Sequence, residues 1–114
     1  RKLVAQRLPL PLLPRMARDP DREVRLVVVE RLPVPALLDF RDDPEVDVRR
    51  AVARRLPAGL LGEMALDPAW EVRWEVAQRA SRMLARSLLL DEEAEVREAA
   101  QARLETLDSE ARHG

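Results

Sequence analysis

The chain has 114 residues, 46% of them hydrophobic and 36% charged, which is too apolar for a disordered segment and too charged for a membrane span. Twenty basic against twenty-one acidic side chains leave a net charge of −1, and this argues against a protein drawn by overall charge onto nucleic acid or anionic lipid. With no cysteine there is no disulfide framework and no thiolate for a metal or an iron–sulfur cluster within these residues; with no secretory signal or long apolar run, a soluble, cytoplasmic protein is expected.

The first segment, residues 1–18, is already part of a pattern. Arg1 to Pro9 align with Arg25 to Pro33, so the chain starts in the middle of a repeat and without an initiator methionine, which reads as a piece of a longer protein. Leu10 to Arg18 are proline-rich and apolar, and predict one or two tight 3₁₀ turns rather than a regular helix.

Residues 19–42 form the first full unit, and the following units keep its landmarks. Asp-Pro stands at Asp19-Pro20, Asp43-Pro44 and Asp67-Pro68, with Asp91-Glu92 as a fourth copy, so the period is 24 residues. Val-Arg recurs at Val24-Arg25, Val48-Arg49, Val72-Arg73 and Val96-Arg97, and Arg-Leu-Pro at Arg7-Leu8-Pro9, Arg31-Leu32-Pro33 and Arg55-Leu56-Pro57. Three landmarks in phase at such a period signal a solenoid, whose units cover one another's apolar faces. Within the unit, Asp19 is expected as the helix N-cap with Pro20 at the first helical position, and Asp43, Asp67 and Asp91 as the N-caps of the later helices. Val24, Val27, Val28 and Leu32 fall in an arc of about 140°, a buried stripe. Pro33 stops the helix, and Pro33 to Asp42 should fold as 3₁₀ turns that bury Leu37 and Phe40.

Residues 43–66, reading DPEVDVRRAVARRLPAGLLGEMAL, carry a resemblance. Asp-Pro, Glu-Val-Arg, Val-Ala-x-Arg-Leu-Pro and a Leu-Leu pair in a 24-residue unit resemble the leucine-rich repeat variant family, related in spirit to HEAT-like repeats. The resemblance covers nearly the whole chain and fades after Ala80. It implies an all-α fold, a right-handed superhelix of alternating α and 3₁₀ helices without β-sheet. Some members of that family carry a cysteine-ligated iron–sulfur cluster ahead of the repeats and are linked to nitrogen fixation; no residue here can take over that role.

In residues 67–90, Arg79-Ala80-Ser81 replaces Arg-Leu-Pro, so the helix begun near Pro68 is expected to run on toward Leu88. Residues 91–107 keep Val96, Ala99, Ala100 and Leu104 on one face and are otherwise charged or small, as a C-terminal cap requires. Residues 108–114 are expected to fray.

Two arginine columns and one aromatic pair are the candidate functional features. Arg7, Arg31, Arg55, Arg79 and Arg103 point into the apolar stripe at the last helical turn; a structural role, on orphan carbonyls and on the aspartate column, is preferred over a row of cations for phosphates or nucleic acid. Arg25, Arg49, Arg73 and Arg97 lie at the stripe's edge, where Asp21, Glu45 and Glu93 offer i, i+4 partners to three of them. Arg73 has alanine at that position and is expected to be the freest to meet a ligand. Trp70 and Trp74 share a face opposite Val72 and Val76 and should be exposed, joined by stacking to Leu26 and Val46 with Arg22 and Arg50 at the edge. Such a patch suits a protein partner, although surface cover or packing on a flanking domain would also account for the rings.

Catalytic chemistry finds little support. His113 stands beside the terminal glycine, Ser81, Ser87 and Ser109 have no nearby base, and Gly59 and Gly62 lack the context of a phosphate loop. The sequence therefore predicts a non-catalytic scaffold without cofactor or metal, binding a protein and not a membrane. The repeat portion of an iron–sulfur redox protein, with its cysteines upstream, is the alternative, and phosphate or nucleic-acid binding through the arginine columns is a third.

Overall fold

The computed structural model describes residues 1–113. Among them the elements are α-helices and 3₁₀ turns, and no β-strand occurs. The chain divides into two compact units, Arg1–Leu56 and Pro57–Gly114.

In the first unit, α1 (Lys2–Arg7) leads into a 3₁₀ helix (Leu10–Met16), followed by α2 (Arg22–Arg31). Next come the single-turn α3 (Val34–Leu37), its 3₁₀ continuation (Leu38–Phe40), and α4 (Val46–Arg55). Helix α2 packs against both α1 and α4, and the stripe read from the sequence forms the seam: Val24, Val27, Val28 and Leu32 are buried, as are Val48 and Val52 of α4 and Leu56 just after it. Leu13, Leu37 and Phe40 close it from the 3₁₀ side. Full burial of a leucine or valine stabilises by about 1.5–3 kcal/mol, so this aliphatic seam is the main source of cohesion. Each helix ends where the proline after it forbids the α region: Leu8, Leu32 and Leu56 are all extended, with ψ between 138° and 147°.

The second unit holds two short 3₁₀ segments (Ala58–Leu60 and Gly62–Leu66), then α5 (Trp70–Arg79), α6 (Arg82–Leu88) and α7 (Ala94–His113). Helix α7 packs along α5 and α6, and Val72, Val76, Ala77, Ala80, Ala85, Val96 and Ala100 are buried between them.

Three local expectations are corrected. The helices begin three residues after each aspartate, at Arg22, Val46, Trp70 and Ala94, so Asp19, Asp43, Asp67 and Asp91 are not their N-caps. Asp21 caps α2 instead, its side chain accepting from the Glu23 amide at 2.9 Å. The helix from Trp70 does not run on to Leu88: Ala80 is extended (φ −63°, ψ 148°), and Ser81 caps a new helix by accepting from the Leu84 amide. A serine N-cap thus makes the break that proline makes elsewhere. Finally, α7 does not stop at Leu107 but continues through Asp108 to His113, with Asp108 ion-paired to Arg82.

Candidate partner-binding surface

The aspartate column serves two purposes at once. One carboxylate oxygen accepts from the amide two residues on, as Asp19 does from Asp21, Asp43 from Glu45, Asp67 from Ala69 and Asp91 from Glu93, at 2.8–2.9 Å. This is an Asx turn, and it places the carboxylate just ahead of the helix rather than on its first turn. Asp19, Asp43 and Asp91 also receive an arginine from 18 residues earlier. Arg25 Nε lies 2.8 Å from Asp43 Oδ2 with Nη2 at 3.2 Å from Oδ1, and Arg73 repeats the geometry on Asp91 at 2.8 and 3.2 Å.

Arg25 and Arg73 are therefore buried, at 9% and 8% exposure. They are not solvated intrahelical partners, and Arg73 is not available to a ligand. Its Nη1 donates to the Asp67 and Pro68 carbonyls as well, so the guanidinium ties the Asp67-Pro68 turn to the Asp91 turn of the next repeat. Donating hydrogen bonds to the carboxylates raises both arginine pKa values further. Burial pushes the Asp91 carboxyl up, but the Arg73 guanidinium and the Glu93 amide outweigh it and hold that group below its ordinary value. At Asp19 the Asp21 amide, with Arg1 beside it, lowers the carboxyl against the opposing effect of desolvation.

The other arginine column answers a need created by proline. Pro9 and Pro33 have no amide hydrogen, so the carbonyls four residues earlier, at Ala5 and Val29, lose their helical donors. Arg31 Nη1 donates to the Ala5 carbonyl and Arg55 Nη1 to the Val29 carbonyl, each at 2.6 Å and each across 26 residues. Arg55 also reaches the Leu32 carbonyl at 2.6 Å, and Arg103, where Ser81 stands in place of proline, donates to the Ala80 carbonyl at 2.8 Å. Carbonyls, not the aspartate column, are the recorded partners of these three. Arg7 is exposed at the end of α1, and Arg79 is half-buried at the end of α5.

The proposed contact residues fall in both units. In the first, Leu26, Val46 and Arg50 are half-buried, while Arg22 is exposed and ion-paired to Asp47 at 3.3 Å. In the second, Trp70 is 37% exposed, but Trp74 is only half-buried rather than open as the helical wheel suggested. Its ring lies beside α7 and, with Gln78, Ala99, Ala102, Arg103 and Thr106, lines an open groove of about 440 Å³. The wheel cannot foresee this, because α7 arrives from the next repeat.

Leu66 and Leu90 were missed altogether. They are 85% and 88% exposed and stand immediately before Asp67 and Asp91, where the earlier repeats carry Arg18 and Asp42. Apolar side chains in an otherwise polar register were the available signal. A second groove, of about 640 Å³, lies in the first unit between Pro14, Ala17, Asp39, Phe40 and Asp42.

Among the described residues no cluster of metal-ligating side chains occurs, and with no cysteine present these residues do not fit an iron–sulfur cluster. No helix among them is long and apolar enough to cross a membrane. Ser81 is engaged as a cap and Ser87 donates to the Leu84 carbonyl, while His113 is exposed at the end of α7.

Comparison with known proteins finds similarity in the repeats. The family model described as leucine rich repeat variant matches residues 46–69. A solved structure of a leucine-rich repeat variant, described as having a novel repetitive protein structural motif, superposes with a TM-score of 0.86 at 46% identity. The alignment covers 88% of this chain and 43% of that one, so the chain spans less than half the length of the protein it matches. No curated protein matches significantly.

Proposed function

The chain belongs to the leucine-rich repeat variant family, and from that premise we propose that it works as a non-catalytic cytosolic scaffold that holds a protein partner at the surface around Trp70 and Trp74. The observation that carries this reading is the placement of the two indoles. They sit four residues apart on α5, outside the buried stripe: Trp70 is exposed and Trp74 borders an open groove, and neither fills the core. Tryptophan at such a place supplies a large, stiff contact area, which is why it is enriched among residues that dominate binding energy. Stacked repeats lend themselves to this use, because their surfaces are extended and their cohesion does not depend on them.

The arginine columns favour the scaffold over a phosphate-binding surface. Arg25 and Arg73 are neutralised by Asp43 and Asp91, and Arg31, Arg55 and Arg103 donate to backbone carbonyls. A nucleic acid would have to compete with those internal partners.

The test is partner capture with Trp70→Ala, the more exposed of the two rings. A protein retained by the wild-type chain and lost by the variant, with the thermal transition unmoved, supports the reading. Equal retention by both would sink it.

A further inference from the structure

We propose that the groove between α5 and α7 takes a basic amphipathic segment of a partner protein, its apolar side on Trp74, Ala99 and Ala102 and its lysine or arginine heads on the glutamates of α7. The proposal rests on the scaffold reading above and adds the chemistry of the occupant.

The groove itself is uncharged along most of its length. Trp74 and Gln78 form the α5 wall, and Ala99, Ala102 and Thr106 the α7 wall; Trp70 stands one turn before Trp74 on the same helix. The one cation lining it, Arg103, is committed through Nε to the Ala80 carbonyl at 2.8 Å.

The rim, by contrast, is acidic. Glu95 and Glu110 lie within about 40° of Ala99 around the α7 axis, and Glu98 about 100° away on the Ala102 side, at 100° per residue. All three are exposed, and none has a hydrogen bond or an ion pair through its side chain among the described residues. Arg97, about 160° from Ala99, is turned away and donates to the Asp91 carbonyl. The three glutamates outnumber Arg103, the one cation in the lining, so the groove and its rim together carry a net negative charge. An acidic occupant would meet Glu95, Glu98 and Glu110 as like charges, whereas a basic one is steered in and oriented. The indole faces add a second attraction for cations, worth more as the site dries. An apolar floor under an acidic rim is complementary to a segment with apolar side chains on one side and lysine or arginine on the other.

The chain's two tryptophans are Trp70 and Trp74, so intrinsic fluorescence reports on this site directly. The probe is a synthetic helical peptide of leucine and lysine, about 14 residues long, compared with a leucine–glutamate peptide of the same pattern and a lysine–serine peptide of the same charge. The leucine–lysine peptide should give a saturable shift of tryptophan emission and the leucine–glutamate peptide none. The lysine–serine peptide should bind at least ten-fold more weakly, because it lacks the apolar side. The triple variant Glu95→Gln, Glu98→Gln, Glu110→Gln, which alters only exposed positions, should weaken the leucine–lysine peptide about ten-fold.

Equal binding of the leucine–glutamate or lysine–serine peptide, an undiminished triple variant, or no shift with any peptide overturns the proposal. These failures are separable from failure of the scaffold reading. Binding that ignores charge yet is lost in Trp70→Ala removes the basic segment and leaves the tryptophan surface, whereas a partner captured equally by wild type and Trp70→Ala removes the surface itself.

Discussion

Arg55 donates to the Val29 carbonyl at 2.6 Å, and Val29 is the residue whose helical partner would have been the amide that Pro33 lacks. The proline that ends one helix thus creates the acceptor that the next repeat's arginine fills. Arg55→Ala should destabilise by about 1–3 kcal/mol for an orphaned acceptor, read from urea unfolding. Pro33→Ala restores an amide able to serve Val29, so the same arginine truncation should cost measurably less in that background, with a coupling of about 1 kcal/mol. Strict additivity of the two substitutions would contradict the account.

Arg73 and Asp91 form a bidentate pair in which both side chains are about nine-tenths buried. Removing one partner strands a charge, and Arg73→Ala should cost about 3–5 kcal/mol, a large part of the ~5–15 kcal/mol that holds a domain together. Arg73→Lys keeps the charge but loses the fork, and should fall between wild type and alanine in chemical denaturation. A lysine variant as weak as alanine would show that geometry counts for nothing here.

Acid should loosen the second unit through the same aspartate. The Asp91 carboxyl is held below its ordinary value of 3.8 in the folded chain, so the folded state binds fewer protons than the unfolded one in that range. The resulting stability is fully present above the ordinary value and is lost as pH falls through the lowered one. A thermal-melt series from neutral pH into the acid range should be flat at first and then fall below about pH 4. In Asp91→Asn, whose starting stability is lower, that fall should be shallower. An equal slope in both proteins would place the titration elsewhere.

What was legible in the sequence was local and periodic. Val24, Val28, Leu32 and their repeats announced the buried stripe because helical spacing alone decides it, and Pro33 announced the stop. The 3₁₀ turns after Pro9 and Pro57 were expected from the same prolines, but Val34–Leu37 forms a single α turn and Arg82–Leu88 a regular α-helix where the family resemblance implied 3₁₀ structure. What escaped was decided by partners in other repeats. Arg25 had Asp21 four residues away as the obvious mate, yet it pairs with Asp43 across 18 residues, because stacking buries that contact and leaves Asp21 to cap α2. Trp74 escaped for the same reason, since the groove it lines is completed by α7, which belongs to the next repeat. Asp19 and its equivalents look like N-caps because an Asx turn and a cap both place a carboxylate on a nearby backbone amide; the two differ only in where the helix then begins.

Ser81 offers the sharpest test of how one signal replaces another. Its backbone sits at φ −62° and ψ 165°, close to the φ −56° and ψ 147° of Pro57 in the preceding repeat, and Ala80 is already extended as a residue before proline must be. Ser81→Pro should therefore be tolerated: the lost cap of about 1 kcal/mol is offset by a stiffer unfolded chain, worth about 0.4–1 kcal/mol. Ser81→Leu removes the cap with no such compensation and should lower stability by about 1 kcal/mol. Equilibrium unfolding of the two variants beside wild type orders them, and a proline variant less stable than the leucine one would mean that the Ser81 amide is needed in the fold.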